Sequence, residues 1–175
     1  NCKMFGGLST LNSLKRVIKF LKIFKKSKKI KIIYCPPSTL IRPMFKKVIN
    51  SKIQVGAQNC HESITYGAST GSINPMMLKN VGAKYVILGH SENRESGEID
   101  KLINAKIKAA IKSGLKVIFC IGETVGQKRK KITKKTLSKQ ISIGLQNVKR
   151  RKNIVIAYEP VWSIGTGVIP KPDDL

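Results

Sequence analysis

Lys84-Tyr85-Val86-Ile87-Leu88-Gly89, then Glu98 to Ser113, then Gly114 and Leu115-Lys116-Val117-Ile118-Phe119-Cys120, form the stretch that sets the fold. The two outer pieces are short, nearly continuous apolar runs rich in β-branched residues. That is the pattern of strands buried on both faces. The middle piece carries Ile99, Leu102, Ile103, Ile107, Ala110 and Ile111 at helical spacing. Gly114 supplies a stop, and Ser96 reads as the N-cap, with Glu98 and Asp100 set to meet the positive end of the helix. A strand, a helix and a second strand with connections this short make a βαβ unit, which joins parallel strands.

The alternation continues in both directions. Ile30 to Cys35, Ile53 to Gln58 and Ile154 to Glu159 read as further strands. Leu11 to Lys26, Ser38 to Asn50, Asn74 to Val81 and Lys131 to Lys149 read as amphipathic helices. No Pro- or Ser-rich linker divides the chain, so residues 1–175 are expected to be a single α/β domain. An open doubly wound sheet would carry G-x-G-x-x-G after its first strand. No such run occurs, and no P-loop.

The chain has 175 residues and a formal charge of +25, from 34 Lys+Arg against 9 Asp+Glu. No acid precedes Glu62. A balance of this kind favours polyanions or small anionic substrates. Lysine dominates, however, and is scattered over every helix (Lys15, Lys19, Lys22, Lys46, Lys47, Lys106, Lys108), which reads as solvated faces and not as one patch. Aromatic residues do not alternate with the basic ones, so specific single-strand binding is disfavoured. No stretch approaches the length of a membrane span, and no signal peptide is visible. Cys2, Cys35, Cys60 and Cys120 lack C-x-x-C spacing, and the last three close apolar runs. They read as small buried hydrophobes in a reduced cytosol, without metal or disulfide.

Polar residues collect at one end of the strands: Asn1 and Lys3, Asn59, His90, Glu123 and Glu159. In a βα barrel that end carries the chemistry. Pro160 forces Glu159 into extended backbone, and Gly165 and Gly167 loosen the far side of the loop that follows. A carboxylate aimed rigidly under a lid suits a general base. His90 follows Gly89 and precedes a helix, and a neutral imidazole there would donate to a carbonyl oxygen. The alternative is a turn histidine bonded to backbone. Glu92 reads either as a surface ion pair with Arg94 or a lysine, or as a carboxylate orienting its neighbours. Glu123 reads as a loop anchor, Trp162 as the anchor of the lid's base, and His61 and Glu62 as surface residues. Glu159, His90 and Lys3 together would allow proton abstraction beside a carbonyl, with the enediolate held by His90 and Lys3 and with no metal or cofactor.

Ala157-Tyr158-Glu159-Pro160-Val161-Trp162-Ser163-Ile164-Gly165-Thr166-Gly167 resembles the catalytic base and lid of the triosephosphate isomerase family. Tyr85 to Glu92 resembles its electrophile segment. Asn1-Cys2-Lys3-Met4, Gly56-Ala57-Gln58-Asn59 and Cys120 to Thr124 match further blocks in order. The resemblance implies a TIM (β/α)8 barrel, truncated here to about strands 1–6, and interconversion of two triose phosphates in the cytoplasm. It implies Glu159 as base, His90 as electrophile, Asn1 and Lys3 as substrate binders and Gly165 as a phosphate donor in the lid. Tyr66 to Gly71, around Thr70, resembles the family's projecting third loop and implies a homodimer. Cys2 stands where the family usually has Trp, and Asn93 where an Arg usually precedes Arg94. Most of the first strand and the last two βα units, with their phosphate loops, are expected to be missing, and the isolated fragment inactive. Two other readings remain, a basic polyanion-binding protein carried by charge alone and another phosphosugar isomerase or aldolase. Glu159-Pro160-Val161-Trp162 argues against the latter.

Overall fold

The computed structural model describes residues 1–24 and 30–171. Five parallel strands follow one another across a single sheet in chain order. They are β1 (Ile32–Tyr34), β2 (Ile53–Ala57), β3 (Tyr85–Leu88), β4 (Lys116–Ile121) and β5 (Ile154–Tyr158). A doubly wound sheet reverses its strand order at a switch point. No reversal occurs here, so the sheet is an arc of a barrel. Among the described residues seven α-helices accompany them, the first ahead of β1 and the rest between strands: α1 (Ser13–Ile23), α2 (Ile41–Val48), α3 (Pro75–Asn80), α4 (Ser91–Glu95), α5 (Asp100–Lys112), α6 (Val125–Arg129) and α7 (Thr133–Gly144).

Alternation along the strands divides the core into two layers. In register, Ile87 lies beside Ile118 and Cys120 beside Ala157. These residues, with Ile33 and Cys35, form the small inner cluster. The intervening residues, Val86, Leu88, Val117 and Phe119, face outward into a larger cluster with Ile103, Ile107 and Ala110 of α5. α5 lies between β3 and β4 in the chain and covers both, as a βαβ crossover requires.

Several sequence expectations change in detail. α5 begins at Asp100 with Ile99 as its N-cap and no side-chain cap. Ser96 closes α4 instead and donates its Oγ to the Glu92 carbonyl. The reason is Gly97, whose φ of +105° turns the chain between the two helices. Asn74 does cap α3, accepting from Met77 N at 2.8 Å ahead of Pro75. The predicted first helix resolves into a 3-10 turn, Leu8–Asn12, and α1; its predicted end, Lys26, lies outside the described residues. Lys3 does not leave a strand. It sits on a turn at φ +49°, tied to the sheet by Cys2 N donating to the Cys35 carbonyl at 2.9 Å. That bond sets Cys2 beside Cys35, one residue past β1, and a single such bond makes no strand.

Lys106, expected on a solvated face, is buried instead. Its ammonium bonds Glu98, whose Oε1 also accepts from Asn59 Nδ2 at 2.7 Å. A buried ammonium needs such partners, since desolvation would otherwise neutralise or expel it. The other lysines of α5, Lys101, Lys108 and Lys112, are exposed as expected.

Burial pushes the Cys35 thiol up to about 11 and the Cys60 and Cys120 thiols up to about 12. Only Cys2 of the four is not buried. The thiolate is the nucleophile, so a raised value and burial both suppress reaction. At pH 8, Cys2 is expected to react quickly with an aromatic disulfide reagent, and the other three only after unfolding. Rapid native-state labelling of Cys35, Cys60 or Cys120, located by mass spectrometry, would contradict this.

Candidate active site

The C-terminal ends of β3 and β5 bring His90 and Glu159 together. They lie 69 residues apart in the chain, yet His90 Nε2 stands 3.1 Å from Glu159 Oε1. Two close backbone approaches make this possible. Gly89 adopts φ +77°, and a Cβ there would stand 2.8 Å from the Cys120 carbonyl oxygen. Gly122 is tighter still, since its Cβ would fall 1.8 Å from the Glu159 carbonyl oxygen. Only glycine at 122 lets the exits of β4 and β5 run side by side at the point where the chain leaves for Pro160.

His90 is the N-cap of α4, and its Nδ1 accepts from Glu92 N at 3.3 Å. An imidazole that accepts at Nδ1 carries its proton on Nε2, the atom facing Glu159. The second carboxylate oxygen of Glu159 accepts from Ser91 N at 3.3 Å. Glu159 is thus held by the histidine and by the first turn of the same short helix.

Lys3 joins through Glu92. Its Nζ lies 2.7 Å from Glu92 Oε1, and Glu92 Oε2 is 3.8 Å from His90 Nδ1. The hydrogen bond from Lys3 holds the Glu92 carboxyl below the usual carboxylate range. A depressed carboxylate contributes its stabilisation above its unfolded value and loses it as pH falls through the lowered native one, here in acid. Glu92 is largely exposed, so the pair adds little to stability. Arg94 does not pair with Glu92. It donates Nε to the Gly89 carbonyl at 2.7 Å and NH1 to Asp100 at 2.6 Å, fastening the turn beneath His90.

Asn1 accepts at Oδ1 from Lys3 N at 2.9 Å and shapes the Lys3 turn. Gln58, just past β2, donates its amide to the carbonyls of both Lys3 (2.8 Å) and Cys35 (3.0 Å). Sequence reading passed over Gln58 as the end of a strand; an amide at a strand exit was the available signal. Asn1, Lys3, Asn59, His61, Asn93 and Lys106 border an open cavity of about 500 Å³.

The lid's base is fastened through Glu123, which is 1% exposed. Both of its carboxylate oxygens accept from Tyr158 OH at 3.1 Å, and Oε1 also accepts from Trp162 Nε1 at 2.8 Å. Glu123 is therefore the loop anchor its position suggested, and Trp162 is what it anchors. Gly165 is exposed at φ +71°, and among the described residues no atom beyond its chain neighbours comes within 4 Å of the place its Cβ would occupy.

A parallel sheet wound in chain order, with its acid, imidazole and ammonium groups gathered at the C-terminal strand ends, defines a βα-barrel protein of the enzyme-bearing kind. Comparison with known proteins narrows this. The family profile described as triosephosphate isomerase matches residues 1–175, and the chain belongs to that family. A triosephosphate isomerase of Carboxydothermus hydrogenoformans is 47% identical over 148 residues, covering 83% of this chain and 59% of its own length. One from Zygosaccharomyces bailii is 41% identical over 175 residues, covering 99% of this chain and 69% of its own. The crystal structure of the Bartonella henselae triosephosphate isomerase superposes with a TM-score of 0.83 at 36% identity, over 93% of this chain and 65% of that one. The chain thus spans about three-fifths to two-thirds of the length of these relatives.

Proposed function

We propose that the protein acts as a triosephosphate isomerase, interconverting dihydroxyacetone phosphate and D-glyceraldehyde 3-phosphate. The observation that carries this is the 3.1 Å approach of Glu159 Oε1 to the imidazole Nε2 of His90. Substrate binding parts these two groups, so that its acidic carbon meets the carboxylate and its carbonyl oxygen meets the imidazole. Glu159 leaves Ser91 N and takes the proton; the C–H pair moves into a C=C bond, and the carbonyl pair moves onto oxygen. His90 donates from Nε2 to that oxygen and stabilises the enediolate. A proton passes from the neighbouring hydroxyl oxygen to the former carbonyl oxygen by way of His90 Nε2, and Glu159 returns its proton to the neighbouring carbon, so atoms balance and no cofactor enters. Lys3, held by Glu92 and Gln58, supplies positive charge to the enediolate and phosphate, with Asn1 shaping its turn. Gly165 offers a backbone N–H to the phosphate once the lid, based on Trp162, closes and excludes water.

The test is solvent exchange. Run in D2O with the full-length polypeptide, the reaction should place deuterium on the carbon reprotonated by Glu159. Product formed without deuterium, or no product, would reject the scheme. The family assignment leaves the reading of the +25 charge as nucleic-acid binding without support.

The dimer reading rests on the resemblance of the loop around Thr70 to the family's projecting third loop, and the family assignment supports it. The loop around Thr70 is exposed, and the cavity beside Lys3 and Asn59 is open. A knob and a hole on the same subunit meet the requirement of a two-fold interface, in which each copy gives and receives the same contact. Sedimentation velocity of the full-length protein at micromolar concentration should read a dimer, and a monomer would end the proposal. The helices of the described residues include none long and apolar enough to cross a membrane. We place the enzyme in the cytoplasm, which cell fractionation tests.

A further inference from the structure

We propose that Lys128 is a positioning residue that latches the lid through the indole of Trp162. Lys128 lies near the end of α6, and its Nζ stands 3.2 Å from the centroid of the Trp162 ring. A cation that close over an indole face is attracted by the negative face of the π system. The same indole donates Nε1 to Glu123, whose carboxylate is buried and is also held by Tyr158. Trp162 is therefore fixed at its edge by a buried acid and across its face by an ammonium. Both fixings come from the segment that follows β4, a different strand from the one that carries Glu159 and the lid.

The placement makes this a device for the lid and not for general packing. Trp162 sits in the 3-10 turn Val161–Ser163 between Pro160 and the glycines of the loop. Thr166 Oγ1 reaches back to the Trp162 carbonyl at 3.2 Å and the Ser163 carbonyl at 3.1 Å, so the tip of the lid hangs from the latched residue. The lid is then held in the arrangement seen here, with Gly165 exposed. In this proposal, swinging Gly165 over a bound phosphate pulls on the indole's fixings through the bonds from Thr166 to the Trp162 and Ser163 carbonyls. Lys128 thereby sets part of the free-energy difference between this arrangement and the closed one. The inference rests on the lid reading given under Proposed function.

The test uses the full-length polypeptide with any further tryptophan replaced by phenylalanine, so that Trp162 is the sole emitter. Lys128→Met keeps the aliphatic stem and removes the charge. An ammonium over the ring quenches indole emission, so the quantum yield of Trp162 should rise in Lys128→Met and return in Lys128→Arg. Inorganic phosphate, titrated as a probe of closure, should bind about two- to five-fold more tightly to Lys128→Met, the range set by a partly exposed cation–π contact. Loss of a positive charge by itself would weaken phosphate binding, so the sign separates a latch from simple electrostatics. The effect should disappear in a Trp162→Leu background, measured by calorimetry. Unchanged emission, or phosphate affinity that is unchanged or weaker, overturns the proposal. If the parent protein shows no response to phosphate, the lid reading fails and the latch falls with it, while the emission still decides whether the contact exists.

Discussion

Glu159→Gln in the full-length polypeptide should lower kcat by about 10²- to 10⁴-fold, the usual contribution of a positioned general base, with KM changed far less. The substitution keeps the shape of the side chain, and the amide oxygen still accepts from Ser91 N, which lies 3.3 Å from Glu159 Oε2. What it removes is the capacity to take a proton from carbon. A loss confined to kcat is the signature of an interaction made only in the transition state. Deuterium incorporation should fall in step with turnover, because both depend on the same proton abstraction. Turnover within a few-fold of the parent would remove Glu159 as the base. The 3.1 Å approach to His90 would then be only a structural contact.

Gly122→Ala should have the second-largest effect, and by a different route. The added methyl would stand 1.8 Å from the Glu159 carbonyl oxygen and 2.9 Å from its carbonyl carbon, both backbone atoms. Neither can rotate away as a side chain would, so β4 and β5 must part where they leave the sheet. Overpacking of this kind costs about 3 kcal/mol, and urea unfolding should show it as a lower midpoint. The movement also displaces the carboxylate, and a shift of about 1 Å in a reacting group costs on the order of 10²-fold in rate. Stability and kcat should therefore fall together, unlike in Glu159→Gln, where stability is spared. An alanine variant with the parent's urea midpoint would show that the strand exits are free to separate.

The exposed flank of β5 bears on how such variants are made. Val155 and Ile156 are 55% and 41% exposed, on opposite faces of the last strand, and the outer edge of β5 is unpaired among the described residues. Apolar side chains on both faces of an edge strand invite association with other chains. Measurements on a polypeptide long enough to cover this edge separate site effects from that association.

Much was legible in the sequence because it depends on near neighbours. Near-continuous apolar runs and helical periodicity of the intervening segments specify parallel strands and crossover helices, since each βα unit must bury its own faces. Pro160 announces the stiff approach to the lid, and Asn74-Pro75 announces a helix start. The candidate residues at the strand exits could be named because strand ends are local features. The boundaries failed where two signals competed, as at Ser96, where Gly97 turned a plausible N-cap into the close of the preceding helix. Lys106 could not be told from its exposed neighbours, because Asn59, which bonds both it and Glu98, comes from a distant part of the chain. Lys3 drew attention as a strand-end cation, and its actual support, Gln58 just past β2 and Glu92 in α4, arrives from two distant segments.

The chemistry of the chain's local segments thus specified the class of fold and the kinds of side chain at the site. Folding decided which of them meet. His90 and Glu159 become acid and base partners only because Gly89 and Gly122 let three strand exits converge. Glu123 becomes a clamp because Tyr158 at the end of β5 and Trp162 in the turn beyond it both reach its carboxylate. Periodicity is written in neighbours a few residues apart, whereas contact across a sheet depends on backbone clearances of a few tenths of an ångström between distant segments, and no local pattern encodes those.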